Sequence, residues 1–210
     1  MEKQELTAPF IGIVRHRLAT DGKGVTTLVA FHSCPLRCKY CLNRRCLEAP
    51  DGLPRYTPQQ LYDRVAIDNL YFIATGGGVC FGGGEPLLRV EFITEFKELC
   101  GKSWNLTAET SLQVPHETVE KAATVVGDFI VDIKECNPDT YRAYTGGDST
   151  RAWDNLKLLL SLVGPEHITV RVPLIPDYND EAATDHTAQR LTDMGITRID
   201  RFTYRTIKNT

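Results

Sequence analysis

The stretch TTLVAFHSCPLRCKYCLN, Thr26 to Asn43, sets the reading of the whole chain. Its first six residues form a short apolar run of the kind that makes a fully buried strand, Thr26–Phe31. Three cysteines then follow within eight residues, Cys34, Cys38 and Cys41, on what must be the loop leaving that strand. Working outward, the same unit recurs. Further strands are expected at Gly78–Phe81, Asn105–Ala108, Asp128–Ile133, Ile168–Val172 and Arg198–Phe202. Helical patterns fall between them near Pro58–Leu70, Val90–Cys100, Pro115–Ala123, Arg151–Val163 and Glu181–Met194. Thr57, Pro58 and Gln60 give the first helix a cap, a favoured first residue and a capping box. Trp153, Leu156, Leu159, Leu160 and Val163 recur at helical spacing and read as an inward face. Strands alternating with helices predict a parallel sheet built of right-handed βαβ units. Pattern alone does not separate an open sheet from part of a barrel. With no linker, repeat or low-complexity segment, residues 1–210 read as one domain.

Composition excludes several classes of function. A net charge of −3 gives no general attraction for nucleic acid or an anionic membrane. No apolar run reaches membrane-spanning length, and Met1 to Thr7 contain no signal-type apolar core, so a cytoplasmic protein is expected. Of the seven cysteines, Cys46, Cys80, Cys100 and Cys136 are scattered and read as small buried hydrophobes. In a reducing compartment the tight group of three points to metal or catalysis rather than to disulfides.

Ligands in parallel α/β folds collect at the carboxyl ends of strands. The chemically interesting residues stand there: the cysteine loop after the first strand and the glycine run ending in Glu85 after the second. Glu109-Thr110 follows the third, Asp132-Ile133-Lys134 closes the fourth, Arg171 ends the fifth, and Tyr204-Arg205 follow the sixth. Cys34, Cys38 and Cys41 form a C-x3-C-x2-C pattern. A [4Fe–4S] cube normally takes four thiolates, so three leave one iron open to a chelating small molecule. Zinc is the rival, since a closed zinc site needs four ligands and His32 or Cys46 can supply the fourth.

With Tyr40 before the last cysteine, this motif resembles that of radical S-adenosylmethionine (SAM) enzymes. Gly82-Gly83-Gly84-Glu85-Pro86 resembles their Gly-Gly-Glu segment, which binds the SAM amino group. The resemblance implies a partial (β/α)6 barrel, one [4Fe–4S] cluster on Cys34, Cys38 and Cys41, and SAM on the open iron. One electron then cleaves SAM to methionine and a 5′-deoxyadenosyl radical, so no acid–base pair is expected and oxygen would destroy the cluster.

Within that superfamily the chain resembles the activating enzymes of glycyl radical enzymes, the pyruvate formate-lyase activating enzyme family. Asp21-Gly22-Lys23-Gly24 is similar to an Asp-Gly-Pro-Gly loop near the incoming glycine peptide, with Lys23 in place of proline. Gly76-Gly77-Gly78-Val79, Asp128 to Lys134, Tyr144-Thr145-Gly146 and Arg171 to Pro176 with Asn179-Asp180 resemble further family elements. The resemblance places Tyr40, Asn43, Gly83, Gly84 and Glu85 around SAM and Lys134 at its carboxylate. Arg171 would stand near SAM and the substrate peptide, and Glu109, Thr110 and Asp132 would lie around the methionine end of SAM, where such enzymes bind a monovalent cation. From the residues alone, Lys134 with Asp132 also reads as a structural ion pair, and Arg171 as a sheet-edge salt bridge.

Two further departures from the family matter. No cysteine lies between Cys46 and Cys80, so no auxiliary-cluster insert is expected. Thr203-Tyr204-Arg205 stands for a family Pro-Tyr-His, and the short stretch after it would leave the barrel mouth open to a large substrate. The expected function is hydrogen abstraction from a backbone glycine of a partner glycyl radical enzyme. Flavodoxin or ferredoxin would supply electrons to a monomer. A radical SAM enzyme acting on a small molecule, of the deazapurine-synthase type, or on a peptide is the alternative.

Overall fold

The computed structural model describes residues 5–18 and 20–204; the expectation for Arg205 lies outside them. Eight strands form one sheet in the order β3-β1-β2-β4-β5-β6-β7-β8. Six of them are parallel: β2 (Val25–Phe31), β4 (Gly78–Gly83), β5 (Asn105–Thr110), β6 (Asp128–Asp132), β7 (Ile168–Leu174) and β8 (Ile199–Thr203). These are the six expected strands, with ends that differ from expectation by one or two residues. Two more lie on one edge, β1 (Ala8–Leu18) and the two-residue β3 (Arg55–Tyr56), both antiparallel to their neighbours.

The helices are α1 (Pro58–Val65), α2 (Asn69–Thr75), α3 (Val90–Cys100), α4 (His116–Val125), α5 (Pro138–Thr145), α6 (Ser149–Val163) and α7 (Glu181–Asp193). The α1 cap is the expected box: Thr57 Oγ1 accepts from Gln60 N–H, and Gln60 Oε1 accepts from Thr57 N–H. The helix expected over Pro58–Leu70 is divided. A 3-10 turn over Ala66–Asp68 interrupts it, because Asp68 turns inward to take hydrogen bonds from Arg15, His16 and Thr27. Neither β1 nor α5 is marked by the periodicity of the sequence.

Period-two alternation explains how the sheet separates core from site. In β5, Leu106 and Ala108 join the apolar core while Thr107 and Glu109 face cavities. In β6, Phe129 and Val131 are core and Asp132 faces the upper cavity; in β7, Val170 and Val172 are core and Arg171 faces both cavities. The core lies between the outer sheet face and the helices. Its densest part is aromatic, with Phe31 and Phe81 rings 5.6 Å apart and Phe81 5.5 Å from Phe96. Each such buried ring contributes about 2 to 3 kcal/mol of apolar burial, the main force holding the helical layer to the sheet.

Candidate cofactor site at the carboxyl ends of the strands

A cavity of about 360 Å³ opens where the parallel strands end. Cys34, Cys38 and Cys41 form one wall, and Gly83, Gly84 and Glu85 lie beside them. Glu109, Asp132, Lys134 and Arg171 close the opposite side. Asn43 also faces the cavity and donates from Nδ2 to the Gly83 carbonyl at 3.0 Å, joining the cysteine loop to the glycine run.

The cysteine loop is held by backbone hydrogen bonds from two directions. Gly84 N–H donates to the Phe31 carbonyl at 2.9 Å and Glu85 N–H to the Ser33 carbonyl at 2.8 Å. On the other flank, Arg37 N–H donates to the Thr145 carbonyl at 2.7 Å and Lys39 N–H to the Tyr144 carbonyl at 3.1 Å. The Tyr144-Thr145-Gly146 element therefore seats the cysteine loop on the end of α5. Burial pushes the Cys34 thiol up to about 12 and the Cys38 thiol upward as well. Cys41 is drawn down to about 6, chiefly by a hydrogen bond with Cys46, whose own thiol is raised by the same contact.

Three soft sulfur donors on one wall, facing a space large enough for a nucleoside-sized ligand, fit a cluster with an open iron. Of the two side chains that could complete a closed zinc site, Cys46 hydrogen-bonds to Cys41, and His32 is engaged elsewhere. Both ring nitrogens of His32 are already engaged, with Ser33 Oγ at 2.8 Å and the Glu48 carbonyl at 2.9 Å. Among the described residues no three His, Cys, Asp or Glu side chains stand at the spacing of a single-metal site.

Glu85 is buried, and its carboxylate is turned into the protein. Oε1 accepts from the Thr110 hydroxyl at 2.6 Å and from Leu87 N–H at 3.2 Å; Oε2 accepts from Ser111 N–H and Oγ at 2.9 and 2.7 Å. Burial raises its pKa, opposed by these four donors. The carboxylate thus braces the site, and the exposed side of this segment is main chain. Burial works to lower the Lys134 pKa, but neighbouring negative charge, Asp132 foremost, outweighs it and holds the ammonium well above its ordinary value. Lys134 Nζ lies 2.9 Å from Asp132 Oδ2.

Two expected pocket residues stand elsewhere. Tyr40 swings to the rim, where its hydroxyl donates to Asp177 Oδ2 at 2.8 Å and its ring packs against Tyr144 and Tyr178. Thr110 lies behind the wall, bound to Glu85. Leu42, Ser111, Asp200 and Phe202 line the cavity without having been singled out in the sequence. The signal for Ser111 was its position next to Glu109-Thr110, and that for Asp200 and Phe202 was their alternation along the last strand.

The Asp21–Gly24 loop lies at the other end of the sheet. Asp21 is buried and paired with Arg17 at 2.6 Å. Gly24 has φ +65°, and a Cβ there would stand 2.5 Å from the Thr75 carbonyl, so glycine is required. Gly22 and Lys23 floor a second cavity of about 370 Å³, which shares Arg171 and Asp200 with the first. The two cavities are neighbours that meet at Arg171 and Asp200.

A sequence profile of the radical SAM superfamily matches residues 28–189. Pyruvate formate-lyase-activating enzyme from Clostridium pasteurianum is 30% identical over 160 residues, covering 76% of this chain and 66% of that enzyme. The (2S)-3-sulfopropanediol dehydratase activating enzyme of Klebsiella oxytoca is 30% identical over 165 residues, covering 76% and 50%. The chain thus spans about two thirds or less of the length of these relatives. Streptococcus suis SuiB bound to S-adenosylmethionine shares the fold at a TM-score of 0.64 and 15% identity, over 87% of this chain and 43% of SuiB. No described helix is long and apolar enough to cross a membrane. From the cysteine loop through α7 the sequence carries the family's pattern, and the chain belongs to the radical SAM superfamily.

Proposed function

We propose that this chain is the activase of a glycyl radical enzyme. The observation that carries the reading is a pair of neighbouring cavities. The upper one is walled by three cysteines, and the lower one is floored by Gly22 and Lys23, with Arg171 and Asp200 common to both. A hydrogen donor reaching the lower chamber would lie next to a cofactor held in the upper one, as an oriented unimolecular transfer requires. The names of the curated relatives from Clostridium pasteurianum and Klebsiella oxytoca support the same activity.

In this reading Cys34, Cys38 and Cys41 hold one [4Fe–4S] cluster, and 1–210 is a single radical SAM domain. When bound, cluster and SAM together supply the radical that removes the hydrogen. The residues of the chain bind and orient. Main chain at Gly83, Gly84 and Glu85 faces the methionine amino group, and Lys134 faces the carboxylate. Asn43 fixes the Gly83 carbonyl, and Arg171 stands between cofactor and peptide. Tyr40 acts from the rim by holding the cysteine loop, and Thr110 from behind the wall by holding Glu85. Asp21, Gly22 and Gly24 shape the surface met by the substrate peptide. Flavodoxin or ferredoxin delivers the electron, and the protein works as an anaerobic cytoplasmic monomer.

The test is an anaerobic incubation of the reconstituted, reduced protein with SAM and a glycyl radical enzyme encoded nearby, followed by EPR. A glycyl doublet accompanied by 5′-deoxyadenosine is the expected result. Deoxyadenosine that never yields a doublet with any glycyl radical enzyme would overturn the activase reading and turn attention to peptides and small molecules.

A further inference from the structure

The three side chains that family resemblance assigns to a monovalent cation are each committed to another group of this protein. Glu109 Oε1 receives Nη1 of Arg171 in a close ion pair. The Thr110 hydroxyl donates to Glu85 Oε1 and accepts from Leu112 N–H at 2.9 Å. Asp132 holds the Lys134 ammonium at 2.9 Å. The Glu109 and Arg171 side chains are about one-fifth exposed (20% and 18%), so their mutual attraction is only partly screened.

The surroundings are built around this pair. A Cβ on Gly82 would stand 2.8 Å from Glu109 Oε2, so a glycine at that position provides the room in which the carboxylate lies. The same guanidinium donates from Nη2 to the Thr20 carbonyl at 2.8 Å, and its Nε lies 3.7 Å from Asp200 Oδ2. An alkali ion entering here would meet a fixed positive charge and would have to displace a planar, multiply bonded donor. The guanidinium is also tethered, so it competes at an effective concentration set by the chain rather than by the salt.

Building on the SAM-binding reading above, we infer that Arg171 is the resident cation of this cavity. It neutralises Glu109 in place of a bound sodium or potassium ion, and SAM binding by this chain is independent of alkali cations. Arg171 is in this sense a positioning residue: it acts on the cofactor pocket through Glu109 and at the same time ties Thr20 to it.

The experiment measures SAM binding by equilibrium dialysis on the anaerobically reconstituted protein, in potassium, sodium and tetramethylammonium chloride at one ionic strength. The wild-type dissociation constants are expected to agree within about twofold, a difference well under 1 kcal/mol. Arg171→Ala is expected to bind about tenfold more weakly in tetramethylammonium and to recover in potassium, which a merely structural role would not produce. Arg171→Lys is expected to keep the indifference of the wild type. A wild-type affinity that falls about tenfold in tetramethylammonium overturns the inference, and so does an Arg171→Ala protein that responds to no cation. If Arg171→Ala fails to fold, the wild-type salt series still decides. Absence of SAM binding in every salt overturns the SAM reading itself, and the inference with it.

Discussion

Glu85 shows why single residues at this site have to be read by their partners. The glycine run marks it as a ligand contact, yet its carboxylate is fully engaged by Thr110, Ser111 and Leu87. Glu85→Ala would strand these donors, and in urea unfolding of the metal-free protein it is expected to cost about 2 to 3 kcal/mol. Its pH signature has a definite sign. Burial raises the folded pKa above the ordinary value of 4.5, so the group's favourable contribution is full below that pH and is lost as pH rises through the folded pKa. In Glu85→Gln this part of the pH dependence should vanish, and an unchanged slope above pH 4.5 would contradict the assignment. The cysteines are simpler. Cys34→Ala, Cys38→Ala and Cys41→Ala are each expected to lose bound iron and sulfide while keeping the circular dichroism of the fold, because the loop lies outside the core. Cys46→Ala should retain both; loss of iron there would make Cys46 a ligand. Spacing marked Cys34, Cys38 and Cys41 as one group in sequence. The burial of Cys46 was legible too, as that of a small hydrophobe, whereas the inward turn of Glu85 depends on contacts with remote segments and was not.

Elements were legible where the local pattern and the tertiary environment agree. Five of the parallel strands, β2, β4, β5, β6 and β7, are mostly buried, whereas β8 at the sheet edge is largely exposed, and α3 spans Val90–Cys100, the residues its spacing predicts. The edge strand β1 escaped notice because Arg15, His16 and Arg17 interrupt its apolar part. Its antiparallel pairing with β2 is reinforced by an ionic contact from outside the sheet. Arg15 and His16 both reach the buried Asp68, and Thr27 of β2 reaches the same carboxylate at 2.9 Å. Asp68 thus fastens β1 to β2 and breaks the expected long helix into α1 and α2. The hydrogen bond from Arg15 is the main reason its pKa lies below the ordinary 3.8. For a carboxylate depressed in this way, the stabilisation is present above the unfolded value and is lost as pH falls through the folded one. Asp68→Asn is therefore expected to lower the melting temperature by a few degrees at pH 7 and to flatten the acid limb of the stability curve. Equal acid limbs in the two proteins would show that Asp68 is not the titrating anchor. For α5, the Asn137 cap, Pro138 and Gly146 gave real end signals, but its eight residues are too few for periodicity to stand out.

At the scale of the molecule, the sequence indicates which strand ends carry chemistry. It does not indicate how far the sheet curls, since curvature comes from packing between strands remote in the chain. That curl brings the turn after β7 to the cysteine loop, 137 residues away in sequence. There Asp177 accepts the Tyr40 hydroxyl at 2.8 Å. Asp177 sits at φ +68°, uncommon for a residue with a side chain, and the turn is fixed by Asn179 Oδ1 accepting from Ile175 N–H at 2.6 Å. A rigid turn at the seventh strand therefore pins the residue between the second and third cysteines. The backbone bonds to Tyr144 and Thr145 hold the same loop from α5, so the hydrogen bond to Asp177 is a second, independent restraint. Tyr40→Phe removes only that bond and keeps the ring against Tyr144 and Tyr178. With the cluster loaded, it is expected to release iron to a ferrous chelator a few-fold faster than wild type, while the metal-free variant melts at the same temperature. Asp177→Asn, which retains an acceptor oxygen, should fall between the two. Should Tyr40→Phe and wild type release iron at one rate, the α5 contacts alone govern how long the loop keeps its cluster, and the role of Tyr40 reduces to packing.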